Sequence, residues 1–357
     1  MNVNGAKSTA PADSAHDHAS RLLRFLNERG TSLSPMFILT HDYPDPDALA
    51  AAFGLQHLLH AGFGIDSRIG YRGEIGRTEN RAMVRLLKIP IHKLPPGWLK
   101  RFPNTALVDT QPSFNNNPYP AARRATLVID QHASPTPPFA DLTLVDTECG
   151  ATCVIVACAL LQQGVVIPER VATALAYGIL TDTLGFYRAQ RQDIVNTYMQ
   201  VLPCADVRAL ARIQNPVRTR KFFATLSQGI RGATLYGKLL VSHLGAVETP
   251  DLVSQVAEFL LAYRRATWCL ATGRFKGRLH ASLRATAMDA GAGEALRDAF
   301  DNPRAAGGHG SIAGGSCRVG ADAAEETWQA REQTLQDRLR GRLRIPSRIK
   351  PRQPFAL

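Results

Sequence analysis

The sequence predicts an α/β protein of two domains: a doubly wound, mainly parallel sheet, then a smaller α/β unit. Three observations point there. Short apolar segments alternate with helix-like stretches over residues 20–200, the pattern of strand–helix–strand units. Four apolar segments each end in a carboxylate, as where Leu107-Val108 leads into Asp109 and Leu127-Val128-Ile129 into Asp130. Finally, 357 residues with 45% hydrophobic content suffice for two separate cores.

Residues 1–19 are polar and rich in small side chains, without the apolar core of a signal peptide, and are expected to form a disordered extension. A strand at residues 36–39 then runs into Thr40-His41-Asp42-Tyr43-Pro44-Asp45-Pro46-Asp47-Ala48. The two prolines should hold this stretch extended, because each disfavours the α region for the residue before it. An apolar helix is expected over residues 48–59. His41, Asp45 and Asp47 offer the nitrogen and oxygen donors suited to Mn²⁺ or a related divalent ion, at the strand edge where open α/β sheets bind ligands. Read as structure alone, the same cluster is a solvated loop capping the next helix. The metal reading gains from repetition. Asp109-Thr110, Asp130-Gln131-His132 and Thr181-Asp182-Thr183 follow three further apolar segments, and a parallel sheet would gather these ends along one edge. Such an edge can hold two cations that clamp the attacking and leaving oxygens of a displacement at phosphorus.

A helical connector is expected over residues 201–233 and the second domain over residues 234–322. Its strands should lie at residues 235–241, 266–272 and 278–284, with a helix at 251–263. Arg284 stands at a strand end, where a guanidinium can fork onto a phosphate. Gly307-Gly308-His309-Gly310 would let the backbone approach a ligand, or would serve as a flexible turn. Residues 323–357 read as a basic helix and tail. Trp328, Leu335, Leu339 and Leu343 mark one apolar face, and from residue 331 onward eight Arg/Lys stand against two acids. This segment suits either single-stranded nucleic acid or a docked helix with a solvated tail.

Taken in order, His41-x3-Asp45-x-Asp47, Val108-Asp109-Thr110, Asp130-Gln131-His132 and residues 177–183 resemble the four motifs of the DHH/DHHA1 phosphoesterases. The nearest branch is the nanoRNase (oligoribonuclease) and pAp-phosphatase group of the RecJ-like superfamily. Ser282-Leu283-Arg284 and the Gly307-Gly308-His309 run resemble the signature of the DHHA1 domain, so the resemblance spans about residues 20 to 320. It implies a DHH catalytic domain at residues 20–200, a DHHA1 substrate-binding domain at 234–322, and an active-site cleft between them. It also implies two Mn²⁺ ions, with Mg²⁺ as the alternative. His41, Asp45 and Asp109 would hold the first ion. Asp47, Asp109 and Asp182 would hold the second, with Gln131 in the position of a further ligand and Asp109 shared. A water between the ions would be the nucleophile. Asp109 and His132 would be catalytic, with His132 on the scissile phosphate, and Arg284, Gly307, Gly308 and His309 would bind the rest of the substrate.

One position departs from the family pattern. Gln131 stands where the third motif has its first histidine, and a neutral amide oxygen is a poorer donor to transition metals than imidazole. A weakened second site, a shift towards Mg²⁺, or binding without hydrolysis would each follow from this. Pro46, where glycine is usual, removes no ligand.

Other residues attract less weight. Cys149, Cys153 and Cys158 are expected on one helix as core residues, since their spacing fits no zinc template. His57, His60, His92, His280 and Arg264-Arg265 are expected to pack or face solvent, and Asp146-Thr147 to cap the helix that follows. The longest apolar run, residues 154–161, is far too short to cross a bilayer. No membrane partner is expected, and a cytoplasmic location is the default. The net charge of +12 points towards polyanions. The expected function is hydrolysis of short oligonucleotides (nano-RNA, linear or cyclic dinucleotides) or pAp. Partners would be short single-stranded RNA or DNA, or a nucleotide phosphate, with a homodimer left open. The alternatives are a nucleotide-binding protein weakened at Gln131 and a single-strand exonuclease acting on longer substrates. Pyrophosphate and polyphosphate are less expected, because the second domain resembles the GGH type.

Overall fold

Ser14 caps the first helix, α1 (Ala15–Arg29), through a reciprocal pair: its hydroxyl accepts from the Asp17 amide and its own amide donates to the Asp17 carboxylate. The helix therefore starts inside the stretch expected as extension. Its buried stripe of Ala15, His18, Ala19, Leu22 and Leu26 is too short-chained at its start to stand out in the sequence. These coordinates come from a computed structural model, which describes residues 14–356; residues 1–13 and 357 lie outside the described residues.

The chain divides into two units, Met1–Pro216 and Val217–Leu357. In the first unit, α1 is followed by β1 (Met36–Thr40), α2 (Pro46–Phe63), β2 (Ser67–Tyr71), α3 (Thr78–Leu87), β3 (Ile91–Lys93) and α4 (Trp98–Arg101). Then come β4 (Asn104–Val108), β5 (Ala125–Asp130), β6 (Ala140–Val145), α5 (Thr152–Gln163), α6 (Glu169–Asp182), α7 (Gln192–Val201) and α8 (Val207–Gln214). The strands form a six-stranded sheet in the order β3-β2-β1-β4-β5-β6, with parallel pairing throughout. Alternation along β1 sorts its side chains to two faces. Met36 and Ile38 join the large core with Leu49, Leu55, Val154 and Leu175, whereas Phe37 and Leu39 pack with Leu107, Val128 and Tyr119 on the other side. Trp98 and Phe102 complete that second, thinner layer.

Three local expectations change. Helix α2 begins at Pro46 rather than residue 48, since proline is well placed in a first turn, where its missing N–H costs nothing. Residues 177–182 belong to helix α6 and not to a strand, so Asp182 reaches the sheet edge from a helix C-terminus. Cys149 precedes α5, while Cys153 and Cys158 lie on it, all three buried.

Asp146 does not cap α5. It is 3% exposed and receives both guanidinium nitrogens of Arg191 at 3.1 and 2.5 Å. Arg191→Ala would leave this carboxylate buried without an ionic partner, held only by the Glu148 amide, at an expected cost of about 3–5 kcal/mol in urea unfolding. A cost below about 1 kcal/mol would mean that water replaces the guanidinium.

The second unit runs α9 (Arg220–Arg231), β7 (Thr234–Tyr236), β8 (Leu239–Ala246), α10 (Asp251–Leu261), β9 (Trp268–Phe275), β10 (Arg278–Ala285), α11 (Ala292–Ala299), β11 (Ala306–His309), β12 (Ile312–Arg318) and α12 (Glu325–Arg342). Its sheet order is β11-β12-β10-β9-β8-β7, with β8 and β9 parallel and the other pairs antiparallel. The expected connector at 201–233 divides at the unit boundary, α8 falling in the first unit and α9 in the second. The expected strand at 235–241 is a hairpin of β7 and β8 around Gly237. Cys269 and Ala271 face the α10 side of the sheet, while Leu270 and Leu283 pack with Leu296, Leu335 and Leu339 on the other.

The basic C-terminal helix is docked. Arg274 pairs with Glu325 and Glu332 and lies 5.4 Å over the Trp328 ring, while Arg331 and Arg338 each reach Asp301 at 2.6 Å. Beyond α12, Arg352 exchanges two backbone hydrogen bonds with Leu235, and the Phe355 and Tyr263 rings sit 5.1 Å apart. Deleting residues 331–357 would therefore strip Leu335 and Leu339 from the core. Among the described residues, no helix is long and apolar enough to cross a membrane.

Candidate metal centre

Strand β1 delivers His41 to the C-terminal edge of the first sheet, and the helix that follows delivers Asp45 and Asp47. Asp45 is the N-cap of α2, its Oδ1 accepting from the Ala48 amide at 3.0 Å. His41 Nδ1 lies 2.7 Å from the Asp42 carbonyl. A carbonyl only accepts, so Nδ1 carries a hydrogen and Nε2 is the atom able to offer a cation its lone pair. That lone pair faces Asp109 Oδ2 at 3.4 Å and Asp45 Oδ1 at 3.7 Å. Three donors thus converge on one point, with all ligand atoms within 4.8 Å of one another.

Asp109 follows β4 in the left-handed backbone region, φ 58°, which a non-glycine residue seldom adopts. It is 2% exposed, and its Oδ1 accepts from the Thr152 hydroxyl at 2.8 Å. Asp130 closes β5, fully buried. Its Oδ1 accepts from the Gln131 amide at 2.9 Å and meets His132 Nδ1 at 2.8 Å, and its Oδ2 accepts from Gln111 at 2.7 Å. His132 Nδ1 also lies 3.6 Å from Asp109 Oδ1. A second possible metal group joins Asp109, Asp130 and His132.

Asp47 is 1% exposed and receives the first two amides of α5, Thr152 N at 2.7 Å and Cys153 N at 2.8 Å. It performs the capping expected of Asp146, because an anion at a helix N-terminus satisfies amides that lack intrahelical partners. Asp182 arrives because Gly178 lets α6 press against α2: a Cβ there would lie 2.8 Å from that of Ala50. Between Asp47 and Asp182 sits Gln131, whose Nε2 donates to Asp47 Oδ2 at 3.1 Å and to Asp182 Oδ2.

Carboxylates crowd this pocket, with two histidines between them. Burial and the neighbouring carboxylates Asp109, Asp182 and Asp45 push Asp47 well above the usual range, and burial with Asp45 and Asp109 lifts Asp182 to about 7. Burial also raises Asp45, but the His41 hydrogen bond and charge outweigh it and bring Asp45 down to about 2. Burial opposes the charged His41 ring, yet its hydrogen bonds to Asp109 and Asp45 raise it well above the ordinary value. His132, likewise opposed by burial, is raised to about 10, chiefly by Asp130. A divalent cation would supply this charge in place of protons, so the donor set fits one at His41, Asp45 and Asp109.

The second-unit residues meet along one sheet register. Arg284 pairs with Ile312, which pairs with His309, while Ser282 aligns with Gly314 and Gly314 with Gly307. The His309 side chain lies outside what the structure describes. Arg284 is 7% exposed and contacts Glu258 at 3.2 Å, so a phosphate there would have to share it. Gly307 has open space where a Cβ would stand, whereas at Gly308 a Cβ would meet Ile312 O at 2.2 Å. Both glycines are exposed, but only Gly307 has room for a side chain.

Sequence reasoning missed Thr152 and Gln111, which hold Asp109 and Asp130. Neither lies in a recognisable motif, since each acts across 19 residues or more. Asp130 was visible within its motif but carried no assigned role. Among the described residues, neither possible metal group includes a cysteine.

Residues 35–179 match the model of the DHH family, N-terminal domain. An uncharacterized protein of Methanocaldococcus jannaschii is 28% identical over 311 residues, covering 87% of this chain; the chain spans 63% of that relative's length. Among solved structures, an exopolyphosphatase-related protein from Bacteroides fragilis matches 94% of this chain and 99% of its own, with TM-score 0.72 and 17% identity. RecJ from Thermus thermophilus, solved in complex with Mn²⁺, matches 96% of this chain and 56% of its own, with TM-score 0.52 and 16% identity. At such identities these likenesses establish the fold, a mixed α/β architecture with a six-stranded parallel sheet and a second sheet. Over residues 35–179, this chain is similar to the N-terminal domain of the DHH family.

Proposed function

We propose that the chain is a metal-dependent phosphoesterase that hydrolyses short oligonucleotides, linear or cyclic dinucleotides, or pAp, with Mn²⁺ as the expected ion. The observation that carries this reading is the convergence of the His41 Nε2 lone pair with carboxylate oxygens of Asp45 and Asp109 at the C-terminal edge of a parallel sheet. A divalent ion held there supplies Lewis acidity to a phosphoryl oxygen and acidity to a water. The chain's own residues do the rest. Asp130 fixes His132 by Nδ1, so that Nε2 is the atom offered to an oxygen of the reacting phosphate. Asp109, strapped by Thr152, presents Oδ2 towards His41. Within the second unit, Arg284 and the Gly307 backbone would bind a phosphate-bearing ligand, a role supported by the open space where a Gly307 Cβ would stand.

The reading is tested by product release from a 5′-labelled RNA dinucleotide, a longer RNA and pAp, first with Mn²⁺ and then with Mg²⁺. The expected result is metal-dependent cleavage with the dinucleotide or pAp preferred. Silence on all three from folded protein would overturn it. One observation favours a second reading, a binding protein with weakened catalysis: the Gln131 amide already engages Asp47 and Asp182. Tight nucleotide binding without turnover would select that reading.

A further inference from the structure

We propose that this centre holds one divalent cation and that the side-chain amide of Gln131 stands in for a second. The inference rests on the metal-dependent reading above and concerns how the same site is charged. At the first position His41 Nε2 and two carboxylate oxygens converge on one point. The Nε2 lone pair of His41 lies 3.4 and 3.7 Å from two carboxylate oxygens, an arrangement that only a cation or an added proton satisfies.

The second position is already satisfied from within. Gln131 Nε2 donates to Asp47 Oδ2 at 3.1 Å and also to Asp182 Oδ2. Asp47 Oδ2 takes a further bond from Thr152 N at 2.7 Å, and Oδ1 one from Cys153 N at 2.8 Å. Between two carboxylates an amide must present its NH₂, because its oxygen would face two anionic acceptors. Admitting an ion would require Gln131 to rotate, break both hydrogen bonds and offer a neutral oxygen. An imidazole here would instead present a lone pair and leave the two carboxylates to the ion.

The group of Asp109, Asp130 and His132 provides no substitute position. Both Asp130 oxygens are taken up by Gln111, the Gln131 backbone N–H and His132 Nδ1, and the residue is fully buried. In this chain, then, the positive partner of Asp47 and Asp182 is a hydrogen-bond donor built into the polypeptide. The metal-bound face is left to His41, Asp45 and Asp109.

The test is a Mn²⁺ titration of the full chain by calorimetry, with electron paramagnetic resonance on the same samples, for wild type, Gln131→His and Gln131→Ala. Wild type should take up one ion per chain with an uncoupled Mn²⁺ spectrum. Gln131→His should double the stoichiometry and show the exchange-coupled signal of an ion pair. Gln131→Ala, which only empties the position, should do the same with a weaker second step, and it reads the idea even if the histidine variant misfolds. Two coupled ions in wild type would overturn the proposal, as would one ion in all three proteins. Turnover measured alongside separates the readings. Hydrolysis with two ions refutes this inference alone, whereas one ion with no hydrolysis of any nucleotide refutes the phosphoesterase reading alone.

Discussion

Asp109→Ala is expected to lower metal-dependent turnover of an RNA dinucleotide by about 10³-fold or more, roughly 4 kcal/mol of transition-state stabilisation. Asp109 is the carboxylate shared by both groups of possible metal donors, and it faces His41 Nε2 at 3.4 Å. Its backbone holds the left-handed region, φ 58°, so the chain bears local strain to aim this one side chain. Unfolding would not explain the loss. Burial and the charge of Asp45 raise the Asp109 carboxyl against the hydrogen bond from His41, so alanine exchanges an electrostatic burden for the lost Thr152 and His41 contacts in the metal-free protein. The variant should melt no lower than wild type without metal and should lose most of the stabilisation that Mn²⁺ confers on wild type. Turnover above about a tenth of the wild-type rate would remove Asp109 from the centre.

Gly308→Ala is expected to cost the second unit about 3 kcal/mol or more, seen as an early transition in urea or thermal unfolding. Gly308 has φ +147°, a conformation that L side chains rarely adopt, and an added Cβ would stand 2.2 Å from Ile312 O and 2.5 Å from Ala313 Cα. These are atoms of the β12 backbone, so relief requires the strand to move and its pairing with β11 to open. Gly307→Ala is the contrasting control, since nothing lies within 4 Å of its added Cβ. That variant should unfold like wild type and raise KM for a nucleotide substrate if the proposed recognition role is right. A Gly308→Ala protein that melts with wild type would show that the β11–β12 hairpin yields, and that the pair of glycines is kept for the ligand alone.

The two glycines show where the sequence was legible and where it was not. As a run, Gly307-Gly308 reads as one feature, a loop free to approach a ligand. In the fold they are strand residues with opposite duties, one pressed against a neighbouring strand and one beside open space. The acidic motifs divide in a similar way. His41 and Asp45 were readable because they lie at a strand end and a helix N-cap only a few residues apart, where local geometry already brings them close. Asp182 was read as a candidate donor and placed after a strand rather than at a helix end. Short apolar segments look alike in either state, and the helix is settled by packing of α6 on α2. The basic tail was undecided between solvent and docking until Asp301, Glu325 and Glu332 were seen to take its arginines or to bind Arg274 beneath it. Arg274 lies more than fifty residues before those glutamates, beyond any pattern that periodicity can reveal.

What the sequence determined by itself is the α/β class, the order of the elements that lead into the carboxylates, and the chemical kind of each donor. These depend on side-chain identity and on periodicities that operate within a few residues. What only the tertiary structure decided is which donors share a point and which are already engaged. Asp47 is bound by amides from α5 about a hundred residues later, and Gln131 reaches Asp47 and Asp182 across 84 and 51 residues. Whether Gln131 offers an oxygen to a cation or hydrogens to two carboxylates is absent from its letter. An amide can do either, and the partners that packing brings to it choose.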